Sequence, residues 1–85
     1  MKLKPNEQVI KAGSGSLNNE KIKVIVTNQN RIYLNNLEFD KITEITYFNK
    51  NYFTKNGVHI ITENNEVKFL IKNRKSWEKL FSKLY

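Results

Sequence analysis

Apolar and polar residues alternate in short bursts through most of the chain, and the period changes only near the C-terminal end. Residues 21–27 are the clearest case. Ile22, Val24 and Val26 alternate with Lys21, Lys23 and Thr27, the period of two that turns one face of a strand toward a core. Ile25 interrupts the polar face. The pattern breaks at Asn28, Gln29 and Asn30 and resumes over 31–35, with Ile32 and Leu34 inward. Residues 21–35 therefore read as a β-hairpin, its turn built on the tolerance of asparagine for left-handed backbone. Shorter bursts predict strands over 7–12, 42–48, 58–62 and 67–72, the last two joined by Glu63, Asn64, Asn65 and Glu66. Residues 13–19 (GSGSLNN) read as a flexible loop between the first two strands, and 49–56 as a short strand or loop. Gly57 reads as a position that needs an unusual backbone angle.

After residue 73 the period lengthens. Trp77, Leu80, Phe81 and Leu84 fall at i, i+3, i+4 and i+7, which is one face of a helix over 74–84, and Asn73 stands where an N-cap belongs. The expected fold is mainly β with one C-terminal α-helix: a strongly bent sheet or small barrel whose open end the helix closes.

Length and composition narrow the rest. Eighty-five residues make one domain, 1–85, with its strands within 7–72. A chain this short buries only roughly 60–65% of its unfolded surface, so one small core is the limit. The apolar share of 39% suffices for that core, and a charged share of 27% is not that of a disordered tail. Cysteine is absent, which removes disulfides and Cys-based zinc sites. No apolar run is long enough to cross a bilayer, and the N-terminus runs straight into charge and proline, so the expected location is the cytoplasm, with peripheral attachment to the membrane. A net charge of +7 favours phosphate-rich surfaces or an acidic protein. Of the fifteen basic residues only Arg31 and Arg74 are arginine. Dedicated nucleic-acid readers favour arginine for its planar fork, so the balance points away from sequence-specific reading.

The strand pattern also resembles that of GRAM domains and bacterial PH-like domains. The resemblance rests on the opening Asn6, Glu7 and Val9, on Thr27, Asn28 and Arg31 in the hairpin, and on Ile42, Thr43, Glu44 and Ile45. Gly57, Ile60 and Thr62, then Phe69 and the terminal helix with Trp77, complete it. Arg31 lies one residue further on than the family hairpin usually has it. The resemblance implies a PH/GRAM-like sheet capped by a helix, and a module that binds rather than catalyses. Basic residues on the first two strands of phosphoinositide-binding PH domains hold phosphates, which brings forward Lys11, Lys21 and Lys23 as candidate ligand-binding residues.

A second candidate patch comes from the residues alone. Lys50, Tyr52 and Phe53 interleave charge with aromatic surface, a combination suited to a membrane interface or to base stacking. Catalysis finds little support. His59 is the sole histidine and sits in a strand pattern, and Glu38 and Asp40 have the spacing of a solvated strand face. The expectation is a non-enzymatic binding or adaptor module without cofactor, whose partner is an anionic lipid headgroup or a protein. Non-specific nucleic-acid binding by a lysine-rich surface is the alternative.

Overall fold

A computed structural model describes residues 3–49 and 56–85. Among these described residues seven strands precede one helix: β1 (Val9–Leu17), β2 (Glu20–Thr27), β3 (Ile32–Leu34), β4 (Leu37–Phe39), β5 (Ile42–Phe48), β6 (Gly57–Thr62), β7 (Glu66–Ile71) and α1 (Arg74–Leu84). They form one antiparallel sheet in the order β4-β3-β2-β1-β7-β6-β5. Of the two expected forms, the bent sheet capped by a helix is the one adopted. Among the described residues the sheet does not close into a barrel, and β4 and β5 stand at its edges.

The hairpin over 21–35 has the register that its alternation predicts. Val24 pairs with Leu34 and Val26 with Ile32, and all four are buried. Ile22, Val24, Ile32 and Leu34 share one cluster with Val58, Ile60, Phe69 and Ile71 from the second half of the chain, and Trp77 and Phe81 of α1 close it. Leu80 packs partly against this cluster, whereas Leu84 at the end of the helical stripe stays 40% exposed.

Residues 13–17, read as loop, are strand. β1 runs to Leu17, and only Asn18 and Asn19 turn, both in left-handed conformation with φ of 53° and 66°. Such a pair makes a tight two-residue hairpin turn whose twist suits the flanking strands. The Gly-Ser composition serves close packing instead of flexibility. A Cβ on Gly13 would lie 2.7 Å from the Trp77 ring, and one on Gly15 would collide with the Leu70 carbonyl oxygen. At Gly15 the β1 backbone meets β7, and the two strands pair there only through Gly15 with Ile71 and Ser16 with Leu70. This short junction is where the two halves of the sheet join.

Gly57 likewise has no positive φ, contrary to the expectation from its sequence. A Cβ there would lie 2.5 Å from the Phe48 carbonyl oxygen, so closeness of β5 and β6 is the constraint. Asn73 does occupy the N-cap position of α1, but its side chain makes no capping bond. Its left-handed backbone, φ 57°, turns the chain from β7 into the helix. Among the described residues, no helix is long and apolar enough to cross a membrane.

Candidate functional site

A buried polar knot fixes the geometry of the sheet's outer side. The Glu7 carboxylate is fully shielded from solvent. Its Oε1 accepts from the Lys4 amide at 2.9 Å and the Tyr33 hydroxyl at 2.8 Å, and its Oε2 accepts from the Thr27 hydroxyl at 2.6 Å. Arg31 Nη1 lies 3.5 Å from Oε2, while its Nε faces Glu38 at 3.1 Å and Asp40 at 3.6 Å. Burial alone would raise the Glu7 pKa. The hydrogen bonds from Thr27, the Lys4 amide, Tyr33 and Arg31 outweigh it and bring the pKa down to about 2. Tyr33 is pushed up to about 12, first by burial and then by donating to Glu7. Glu7, Thr27 and Arg31, three residues on which the GRAM/PH-like resemblance rests, thus meet in one place. Both Glu7 oxygens and the Thr27 hydroxyl are spent within this knot, and Arg31 Nη1 also donates to Gln29 Oε1 at 2.6 Å, which is the arrangement of a structural brace.

The lysines divide between the two sides of the sheet. Lys11 stands on the helix side: its Nζ donates to the Ser76 hydroxyl at 2.9 Å and lies 5.1 Å from the centre of the Trp77 ring. The change of register between Val9 and Lys11 accounts for this, because Val9 pairs with Thr27 and Lys11 with Val26. Lys21 and Lys23 alternate with the buried Ile22 and Val24 and therefore occupy the outer side. The structure keeps those two together and separates Lys11 from them. Lys50, Tyr52 and Phe53 lie outside the described residues.

Two further lysines join the outer pair. Ser14 pairs with Lys23 and Ser16 with Lys21, and Ser16 also pairs with Leu70. Across the β1–β7 junction the Lys72 amide donates to the Ser14 carbonyl at 3.1 Å. Lys68, Leu70 and Lys72 alternate with the buried Phe69 and Ile71, which places them on the same outer side. The result is a shallow trough with Ser14 and Ser16 as floor, Lys21 and Lys23 on one bank, and Leu70 and Lys72 on the other, with Lys68 continuing the outer row of β7 opposite His59. Among the described residues none of these four lysines is ion-paired. Where β1 and β7 diverge, the trough deepens into a hollow of about 320 Å³ whose lining includes Asn19, Lys21, Asn56 and Lys72. Ammonium groups on a serine floor present point charges and hydroxyl donors, a combination that fits phosphate oxygens in any orientation. Alternation alone puts Lys68 and Lys72 on the polar face of β7, but their place on the same side as Lys21 and Lys23 depends on the β1–β7 register, which the sequence does not show.

Titratable groups elsewhere are paired or isolated. His59 on β6 faces Glu66 at 3.3 Å, and Glu38 and Asp40 face Arg31. Among the described residues no three His, Asp or Glu come together with metal-binding geometry. A second concave region lies beside β5, which pairs only with β6. Its lining includes Thr43, Glu44 and Tyr47 from β5 and Glu78, Phe81 and Tyr85 from the end of the chain, with a volume of about 510 Å³. Burial pushes the Tyr85 hydroxyl up to about 12, so it stays neutral there. Comparison of the chain with family models, with curated proteins and with solved structures gives no match.

Proposed function

We propose that the chain is a non-enzymatic binding module of PH/GRAM-like type that attaches peripherally to an anionic membrane surface through the lysines on its outer face. One observation carries this reading: Lys21, Lys23, Lys68 and Lys72 share one side of the sheet, exposed and without an ion pair among the described residues. The element order, seven antiparallel strands followed by a capping helix, is the one the GRAM/PH-like resemblance implies and supports the type of module. The brace at Glu7 supports binding over catalysis, since the most perturbed carboxylate of the chain is consumed in holding the sheet. A cytoplasmic location, where anionic leaflets are met, belongs to the same proposal.

Each lysine near an anionic leaflet contributes about 1 kcal/mol, so four supply about 4 kcal/mol, a millimolar affinity when acting alone. Attachment should therefore be weak and salt-sensitive, with a screening length of roughly 8–10 Å at physiological salt. The test is co-sedimentation with phosphatidylcholine vesicles that contain or lack phosphatidylserine, run beside a mobility shift with generic double-stranded DNA. Binding to the anionic vesicles alone is expected at low salt. Replacing Lys21, Lys23, Lys68 and Lys72 by Gln should abolish it, and replacing Lys79 and Lys83 on α1 should not. DNA binding without vesicle binding would replace the membrane by nucleic acid, and binding to neither would remove the proposal.

A further inference from the structure

The edge of the sheet opposite β4 carries a different chemistry. Among the described residues β5 is paired on one side only, so beyond the bulge between Ile42 and Glu44 alternate N–H and C=O groups face away from β6 and can meet another strand. Seven residues in extended form present roughly 23 Å of such an edge. Alongside it runs a continuous channel. The concave region beside Tyr47 shares Thr43 and Tyr85 with a second one, of about 350 Å³, that reaches Ile42, Leu84 and the β2–β3 turn. Tyr47, Leu84 and Tyr85 border it and are 37%, 40% and 38% exposed, three of the six large apolar side chains exposed among the described residues. Natural sheets usually protect a free edge with charge, proline or a covering element, and an edge flanked by exposed aromatics is open to recognition instead.

Charge decides between occupants. The chain as a whole carries +7, yet the described lining of this channel holds Glu44 and Glu78 and no lysine. Arg74 borders the channel: its guanidinium lies 5.6 Å from the centre of the Tyr47 ring, its Nη1 donates to the Phe48 carbonyl at 2.8 Å and the Gly57 carbonyl at 3.2 Å, and its Nε is 3.8 Å from Glu78, which leaves Glu44 as the acid of the lining without an ion pair among the described residues. Edge-to-edge pairing of two copies through β5 would bring both pairs of Glu44 and Glu78 to one interface, where like charges oppose association. A basic segment meets no such penalty.

We propose that the channel between β5 and α1 takes an extended segment of a partner protein, which pairs with the β5 edge and carries an apolar side chain flanked by Lys or Arg. Backbone pairing holds the segment, the apolar side chain seats against Tyr47 and Tyr85, and the basic residues face Glu44 and Glu78. This site is separate from the lysine trough and stands without it.

The test uses fluorescence anisotropy of the full chain with a labelled ten-residue peptide of alternating Val and Lys, and with its twin in which Glu replaces Lys. The Lys peptide should bind and the Glu peptide should not. The double substitution Glu44→Gln, Glu78→Gln should weaken the Lys peptide roughly tenfold while the thermal melt is unchanged. Two further peptides, N-methylated at alternate residues in opposite frames, separate strand pairing from charge attraction: one frame should lose binding and the other keep it. Equal binding by both frames, indifference to the double substitution, or no binding of the Lys peptide at low salt would each overturn the proposal. A dimer in sedimentation equilibrium that occupies the edge and excludes the peptide would overturn it too, in favour of a second copy.

Discussion

Replacing Glu7 by Gln removes the charge at the centre of the buried knot while keeping its shape, and the effect should depend on pH in a defined way. The folded-state pKa of Glu7 is lowered to about 2, against roughly 4.3 in an unfolded chain. A depressed carboxylate stabilises the fold above the unfolded pKa, and that contribution is lost as pH falls through 4 toward 2. The difference corresponds to at most about 3 kcal/mol. Glu7 is shielded but shallow in a domain this small, and solvent screening reduces the figure to about 1–2 kcal/mol. For a domain of this length that is a shift in Tm of roughly 5–10 °C. The assay is thermal melting of the native chain and of Glu7→Gln from pH 6 to pH 2.5. At pH 6 the variant should melt lower by that amount, and the two curves should converge as pH falls, because protonation makes the native carboxyl as neutral as the amide. The two proteins differ at this side chain alone, so the difference between their curves reports on Glu7 and the groups it contacts. A gap that stays constant over the whole range would refute the reasoning and show that the side chain acts through shape alone.

Three further outcomes follow from the packing. Trp77→Ala should cost about 3–5 kcal/mol, a large part of the roughly 5–10 kcal/mol available to such a domain, and urea melts should show it near the edge of folding. Gly15→Ala should cost at least about 2 kcal/mol in the same melts, because the added methyl meets the Leu70 carbonyl, a backbone group that cannot step aside. Ala at Asn18 and Asn19 should lower stability by about 1–2 kcal/mol per residue, while Gly at both positions should preserve it, since only the left-handed backbone is at stake.

What the sequence made legible follows the range of the forces involved. Ile22, Val24, Ile32 and Leu34 of the hairpin and Trp77 and Phe81 of α1 are buried on one side of their elements, and a buried face writes its period into neighbouring residues. β1 was misread beyond Ala12 because its constraint is not local: Gly13 makes room for Trp77 and Gly15 for β7, residues more than fifty positions away. The same composition in a real loop would look identical. Asparagine was legible only in part. The left-handed turns at Asn30 and Asn73 fall where the reading placed a turn and a cap, yet Asn73 caps nothing with its side chain. The candidate site divided along the same line. Lys21 and Lys23 were visible from the alternation of β2, but the bulge that carries Lys11 to the helix side and the register that brings Lys68 and Lys72 to the trough are properties of strand pairing. Glu7 passed for an ordinary strand residue, since its burial requires Thr27, Arg31 and Tyr33 to arrive from another hairpin.

The central claim is that the outer lysine trough is the surface that meets an anionic membrane. Titrating the ¹⁵N-labelled chain with small bicelles, with and without phosphatidylserine, tests it residue by residue. The account predicts amide shifts concentrated at Ser14, Ser16, Lys21, Lys23, Lys68 and Lys72, seen only with the anionic lipid and reversed by salt. Shifts concentrated on the solvent face of α1, or spread evenly over all exposed lysines, would contradict it.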